Sequence, residues 1–557
     1  MCQYLPVSLT SLRLRVERTT SVRRLPLLVA LVLTALVRVV FLLRDNTLSA
    51  DEAVTGIMAR KMASGSNLYI YFAGQNYNSA VEQYPQAALF ALGAPQTAFV
   101  LRLPELVINI ASCWLIYWVA QRMFSDSWRP GLAALLFALG PIFQITRGST
   151  TTGSYTAQLA LGLLTLWCAL ALSPQLSRRR QLIAAGLVGL ALTGTFSLTA
   201  SGYFLVLPAI AWAVPALVRL RLWPALAVGA VLGALPPLVY ALRNHASVFP
   251  HIGTRPSTVF RRLQDLLDPV GRMFLGLSHS FGTPGLPVGL ARLLLWIAIL
   301  TLLITAWAHR RSVRALVLLR PAGRNPLDIA VLALMLAAAG YVASKYAYFT
   351  IDPRYLYPTT PALILLLAAV ASPSALRHIR LTKSSSMFAR SRWRPTKIGG
   401  IHRVGVTIAS VALLLLVGLP TGIMLLHPAL DSNGNATALP STGLDGNMEQ
   451  AVSQMRLDHT TYLYSTYWLA TPMEFLANGR LTAVTYGSID RFPADRAHAD
   501  AASVGQTAWL DLSSSTAMPI ALRHHHIGFR KRRFGQITIY DRFTANIRPQ
   551  QLGLHGP

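Results

Sequence analysis

The chain has 557 residues, 53% of them hydrophobic and only 13% charged, and its formal net charge is +29. A soluble domain carries about 25% charged residues; the low value and the repeated apolar runs exclude a soluble enzyme and predict an α-helical polytopic membrane protein. The positive charge does not signal nucleic acid, because Lys and Arg collect between apolar runs, and three scattered cysteines form neither a disulfide framework nor a zinc site.

The apolar runs predict about eleven spans, the length of each matching a bilayer core. They cover 25–43, 103–121, 130–146, 154–172, 181–198, 202–218, 223–242, 289–308, 327–344, 356–372 and 404–426. The first run is too long for a signal peptide and no cleavage site follows it, so it reads as a retained helix. Arginines cluster before span one and in the segments after spans four, six, eight and ten. With this count all of those segments fall on one side, which the positive-inside rule makes cytoplasmic. The N-terminus is then cytoplasmic. The other face holds the first loop, 44–102, the long loop 243–288, the short loop 345–355 and everything after 427. The chain thus divides into a membrane module, 1–426, and an accessory domain, 427–557.

The first outer loop gathers Asp45, Asp51, Glu52 and Glu82 in a chain poor in acids. Ser49-Ala50-Asp51-Glu52 fits a capping box, with Ser49 at the N-cap and Glu52 reaching back. That reading leaves Asp51 unassigned. Val54, Ile57, Met58 and Met62 then follow at the spacing of an amphipathic helix lying on a membrane surface. Arg102, at the start of span two, reads as a snorkelling side chain. In loop 243–288, Arg261, Arg262 and Arg272 lie on the outer face, where they bind anionic lipid or form a solvated basic helix.

The tail opens with a polar linker, DSNGNATALPSTGLDGN. A helix near 446–456, a strand over 461–465, an amphipathic helix in YWLATPMEFLANG with Gly479 as its cap, and strands over 481–486, 507–512 and 535–540 make a small α/β domain. It lacks a Gly-rich phosphate loop. Arg523 to His526 and Arg530 to Arg533 read as a solvated basic face.

Three stretches carry a family resemblance. They are the Asp51-Glu52 pair outside span one, whose helix runs on to Ala59-Arg60; Asp352-Pro353-Arg354-Tyr355-Leu356-Tyr357-Pro358 before span ten; and YSTYWLATPMEFLANGR in the tail. Together with Gly74-Gln75, Glu82 and Arg102-Leu103-Pro104, they resemble the GT-C superfamily of membrane glycosyltransferases. That group includes protein O-mannosyltransferases and lipid A aminoarabinose transferases. The chain departs from it at Val81-Glu82-Gln83-Tyr84-Pro85, where members often carry a Lys-Pro-Pro type of segment. The resemblance implies an inverting transferase that takes sugar from a polyprenyl-phosphate donor and gives it to a lipid, glycan or protein acceptor outside the membrane. Asp51 is then the general base and Glu52 its neighbour in the catalytic site. Glu82, Lys345, Asp352, Arg354 and Tyr355 contact substrate, with Arg354 on the lipid phosphate. No metal ligand set is identified; a divalent cation held by Glu82 with Asp51 is left open. Lys345 and Arg354 also fit simple boundary snorkelling.

The rival reading is a transporter or flippase of a lipid-linked or anionic solute. It predicts ionisable residues or broken helices near the midplane and an internal repeat. Apart from Arg38 the spans show almost no ionisable residue, and the polar residues collect at one surface, which favours interfacial chemistry. A third reading places the function of a receptor or assembly protein in the tail.

Overall fold

The computed structural model describes residues 9–44, 48–126, 128–244, 257–278, 286–344, 353–371, 418, 444–487 and 489–554. Helix α1 (Leu9–Arg44) leads into two outer-loop helices, α2 (Ala50–Ala63) and α3 (Gln83–Ala91). The bundle continues through α4 (Ala98–Met123), α5 (Arg129–Leu139), α6 (Ile142–Ser149), α7 (Tyr155–Ala171), α8 (Arg178–Leu198), α9 (Tyr203–Arg219) and α10 (Trp223–Asn244). Short helices α11 (Val259–Asp265) and α12 (Gly271–Phe274) lie between α10 and the next long helix; α13 (Val288–Val317), α14 (Leu327–Ala343) and α15 (Thr360–Val370) complete the described bundle. Among the described residues six helices are long and apolar enough to cross a membrane, or seven with the bent pair α5–α6, and three shorter apolar helices join them. The first ten expected spans all fall on these helices. The eleventh, 404–426, lies outside the described residues apart from Gly418.

The α5–α6 pair bends by 66° at Gly140 and Pro141. A break inside a bilayer strands backbone carbonyls, which must find donors within the protein. Arg38 of α1 supplies them: fully buried, it donates to the carbonyl oxygens of Ala138 (3.2 Å) and Phe137 (3.5 Å) and lies over the Phe137 ring. Gln144 donates to Phe137 as well, at 3.3 Å. The ionisable residue in the first span is therefore a structural clasp for the α5–α6 break.

Helices α8 and α10 approach through glycine. A Cβ on Gly229 would overlap the Gly186 carbonyl, and one on Gly189 would overlap the Leu226 carbonyl. Small residues let membrane helices pack backbone to backbone, where no hydrophobic effect drives association. By contrast α13 is largely open on its outer side, with Leu293, Ile297, Leu300, Ile304 and Trp307 exposed along one helical stripe, as expected of a face turned to lipid.

In the C-terminal region, α16 (Leu444–Leu457) precedes β1 (Tyr462–Ser465), α17 (Tyr467–Leu476), β2 (Thr482–Thr485), α18 (Pro493–Ala501), β3 (Thr507–Leu512), α19 (Ala517–His524), β4 (Arg530–Phe534) and β5 (Ile537–Asp541). The sheet order is β2-β1-β3-β5-β4, with β2, β1 and β3 parallel and β5 antiparallel to both neighbours. Helix α17 ends at Leu476 with Ala477 as its cap, and Asn478 and Gly479 follow in left-handed conformation. Strand β4 was not expected, because Arg-Lys-Arg-Arg is a poor strand sequence. Arg530 and Arg532 turn inward onto Asp541 and Asp458, at 2.7 Å for Arg530 to Asp541, while Lys531 and Arg533 point outward. The basic run is thus half solvated, and half an ion-pair network on an edge strand whose outward charges discourage further pairing.

Gly229→Ala is expected to lower the thermal unfolding midpoint of the detergent-solubilised protein, overpacking of this kind costing about 1–3 kcal/mol. Gly289→Ala, on α13 with no atom within 4 Å of its Cβ position, is the control and leaves the midpoint unchanged or slightly raised.

Candidate active site

The start of α2 fixes the geometry. Ser49 is its N-cap: its hydroxyl accepts from the Glu52 backbone N–H, and Glu52 Oε2 accepts from the Ser49 backbone N–H, both at 3.3 Å. Glu52 is 1% exposed. Arg102 of α4 grips it through two parallel bonds, Nε to Oε1 at 2.7 Å and Nη2 to Oε2 at 2.9 Å. The Thr151 backbone N–H, beyond α6, donates to Oε1 at 3.3 Å. Burial by itself would raise the Glu52 carboxyl, but the Arg102 charge and these hydrogen bonds outweigh it and hold the group below its ordinary 4.5. Glu52 is saturated inside the protein. Arg102 does not snorkel; it is buried because its partner is.

Successive residues of a helix are about 100° apart around its axis. With Glu52 turned inward, Asp51 comes to the neighbouring side and keeps 24% of its side chain exposed. Its Oδ1 accepts a hydrogen bond from the Tyr467 hydroxyl of α17 at 2.5 Å. Its Oδ2 lies 3.8 Å from Arg354 Nη1, whose side chain is 18% exposed. Arg354 opens a 3-10 turn, Arg354–Thr359, that leads into α15, and Tyr355 is half-buried beside it. Lys345 and Asp352 lie outside the described residues.

Glu82 takes another place. It ends the 3-10 turn Ala80–Glu82, is 1% exposed, and its Oε1 accepts from the Ala157 backbone N–H of α7 at 2.7 Å. Burial pushes its carboxyl from the ordinary 4.5 up to about 8. Glu105, fully buried on α4, meets it side chain to side chain. Glu105 lies inside span two and qualifies the expectation that the spans hold almost no ionisable residue apart from Arg38. Among the described residues no group of three or more His, Cys, Asp or Glu is arranged to hold a metal ion.

Helix α2 does not lie open on a membrane surface as its pattern suggested. Val54, Ile57 and Met58 are fully buried, because α3 packs on one side and α17 on the other. Burying side chains of this size stabilises by roughly 1.5–3 kcal/mol each. Phe475 sits where a side chain on Gly56 would be, and the Thr471 hydroxyl donates to the Ala50 carbonyl at 3.2 Å. Arg60 pairs with buried Glu474 at 3.1 Å, and Lys61 pairs with Asp495. Burial pushes the Glu474 carboxyl up to about 7 despite Arg60. Burial, and after it the Asp51 charge, also hold the Tyr467 phenol well above its ordinary 10, so it stays a donor.

In the segment between α10 and α13, Arg261, Arg262 and Arg272 are engaged locally. Arg262 donates to the Val342 carbonyl at 2.7 Å, Arg261 pairs with Asp265 at 3.1 Å, and Arg272 and Arg292 share Asp268. This favours a structural use of the basic residues there over a lipid-binding patch.

Two consequences are measurable. Arg102→Met leaves Glu52 buried without its cation and is expected to cost about 3–5 kcal/mol in an unfolding titration. The Glu82 carboxyl is raised on folding, so its contribution is full below the ordinary 4.5 and is lost as pH climbs through about 8. Stability should therefore fall across that window in the wild type, and the fall should be shallower in Glu82→Gln when unfolding midpoints are compared from pH 5 to 9.

No protein-family model and no curated protein sequence matches the chain. Solved structures do. ArnT from Cupriavidus metallidurans in the apo state aligns with TM-score 0.57 at 16% identity, over 97% of this chain and 100% of that one. The same protein bound to undecaprenyl phosphate aligns with TM-score 0.54 at 16% identity, over 96% and 98%. An oligosaccharyltransferase from Archaeoglobus fulgidus in the apo form aligns more weakly, with TM-score 0.43 at 13% identity, over 87% and 69%. The fold expected from the sequence is therefore the one found: a multi-pass helical membrane protein with the fold of the ArnT structures and a C-terminal sheet region.

Proposed function

We propose that the chain is an inverting membrane glycosyltransferase that moves a sugar from a polyprenyl-phosphate carrier to a lipid, glycan or protein acceptor outside the cytoplasm. The observation that carries this reading is the pair formed by Asp51 and Arg354. Both side chains are partly exposed and their charges stand 3.8 Å apart. At 3.8 Å the pair is too long for a hydrogen bond and adds little to stability. A carboxylate and a guanidinium side by side, each with part of its side chain reachable from solvent, are what this chemistry asks for. Asp51 takes the proton from the acceptor hydroxyl as that oxygen attacks the anomeric carbon. The bond from that carbon to the phosphate oxygen breaks, and the electron pair leaves with the polyprenyl phosphate. Arg354, with its planar fork of donors, stabilises the charge that collects there.

The ArnT structure with undecaprenyl phosphate supports this class of carrier. Tyr355 beside Arg354, and Lys345 and Asp352 just before it in sequence, complete the proposed phosphate-binding segment. Glu52 and Glu82, both buried, are assigned to holding the site together. The arginine-rich segments between spans put the N-terminus in the cytoplasm of a cell-membrane protein, with the membrane module over 1–426 and the accessory domain, 427–557, outside.

The test is to incubate the purified protein with a panel of polyprenyl-phosphate sugars and acceptors and to follow release of polyprenyl phosphate. Asp51→Asn is expected to reduce release by about 10²–10⁴-fold while the protein remains folded and inserted. Undiminished release by that variant removes Asp51 as the base, and no release from any donor with the wild type removes the reading itself.

A further inference from the structure

Within its own region the hydroxyl of Tyr467 meets the Arg491 side chain. It also reaches out of the C-terminal region to Asp51 Oδ1 on the membrane module. The ring that carries it is 2% exposed and is fixed by packing. The Arg491 guanidinium lies over it at 5.5 Å and over the Phe72 ring at 5.4 Å. With its amide oriented as its hydrogen bonds require, Gln75 accepts from both Arg491 Nη atoms at 2.9 and 3.0 Å. A side chain held this way can aim a partner, because its own rotamer has little freedom.

Docking of α17 on α2 does not need that hydroxyl. Phe475 against Gly56, Thr471 on the Ala50 carbonyl and Glu474 with Arg60 join the two helices without it. What the hydroxyl adds is direction. It occupies Oδ1 of the carboxylate, and Oδ2 is the oxygen left facing Arg354.

We propose that the C-terminal region is part of the active site, and that Tyr467 is a positioning residue that holds Asp51 with Oδ2 presented to the reacting groups. The proposal rests on Asp51 being the base, and it gives the accessory domain a role in turnover beyond covering the site. The tail then acts on catalysis through one hydroxyl, and losing that hydroxyl slows the chemical step without weakening donor binding.

The experiment uses the full-length protein in detergent with Tyr467→Phe, which keeps the ring and its packing. Water-soluble carbodiimide labels carboxyl groups, and peptide mass spectrometry reads Asp51 and Glu474 separately without any substrate. Labelling of Asp51 is expected to rise several-fold in Tyr467→Phe, with Glu474 unchanged because the helices stay docked. On the donor that the wild type turns over, kcat should fall about ten-fold or more, as for loss of a hydrogen bond to a charged group, with KM within two-fold. Unchanged Asp51 labelling overturns the proposal. So does a joint rise at Asp51 and Glu474, which would make the hydroxyl a docking contact. A selective rise at Asp51 in Tyr467→Phe, beside a wild type that transfers no sugar from any donor, would leave the positioning intact and remove the glycosyl-transfer reading.

Discussion

The bidentate pair of Glu52 and Arg102 is the constraint on which the site depends. A carboxylate buried to 1% exposure is tolerated only with a cation and hydrogen bonds around it, and Glu52 has Arg102, Ser49 and Thr151. These partners come from the α2 cap, the head of α4 and the segment after α6, so one side chain fixes three parts of the bundle. Helical geometry does the rest. Once Glu52 is locked inward, the preceding residue is turned to the adjacent side, and Asp51 stands at the rim. The acid that looks equivalent in sequence is the anchor, and the acid before it keeps 24% of its side chain exposed.

A second constraint closes the other side of α2. Helix α17 covers it with Tyr467 and Phe475, and Phe492, also from the C-terminal region, joins the same apolar cluster as Val54, Ile57 and Met58. The interfacial helix is therefore the floor of one region and the roof of another. The ion pairs at its end, Arg60 with Glu474 and Lys61 with Asp495, orient the contact while the apolar cluster supplies most of its stabilisation. The C-terminal sheet need not carry a site of its own to matter. It places one phenol on the membrane module.

Local pattern explains what could be read from the sequence. Ten of the spans were legible because each is a run of apolar residues, which a helix in a bilayer requires. The capping box at Ser49 and Glu52 was legible because its two partners are three residues apart. The pairing of Glu52 with Arg102 was not, since snorkelling is the common fate of an arginine at a helix end and nothing local marks its partner. Glu105 escaped notice because a single acid at the head of a span looks like a boundary residue. The burial of α2 was hidden because its stripe of Val54, Ile57, Met58 and Met62 fits a membrane surface as well as a protein one, and the covering helix begins at Tyr467. Strand β4 was hidden by its arginines, which are tolerated there only because Asp458 and Asp541 face them.

The most direct measurement is a structure of the full chain with undecaprenyl phosphate bound. If Asp51 and Arg354 form the reaction centre, the phosphate lies within hydrogen-bond reach of the Arg354 guanidinium, on the Oδ2 side of Asp51, with Glu52 still closed on Arg102. A phosphate bound elsewhere, with Arg354 still turned to Asp51 and no lipid near either, would contradict it.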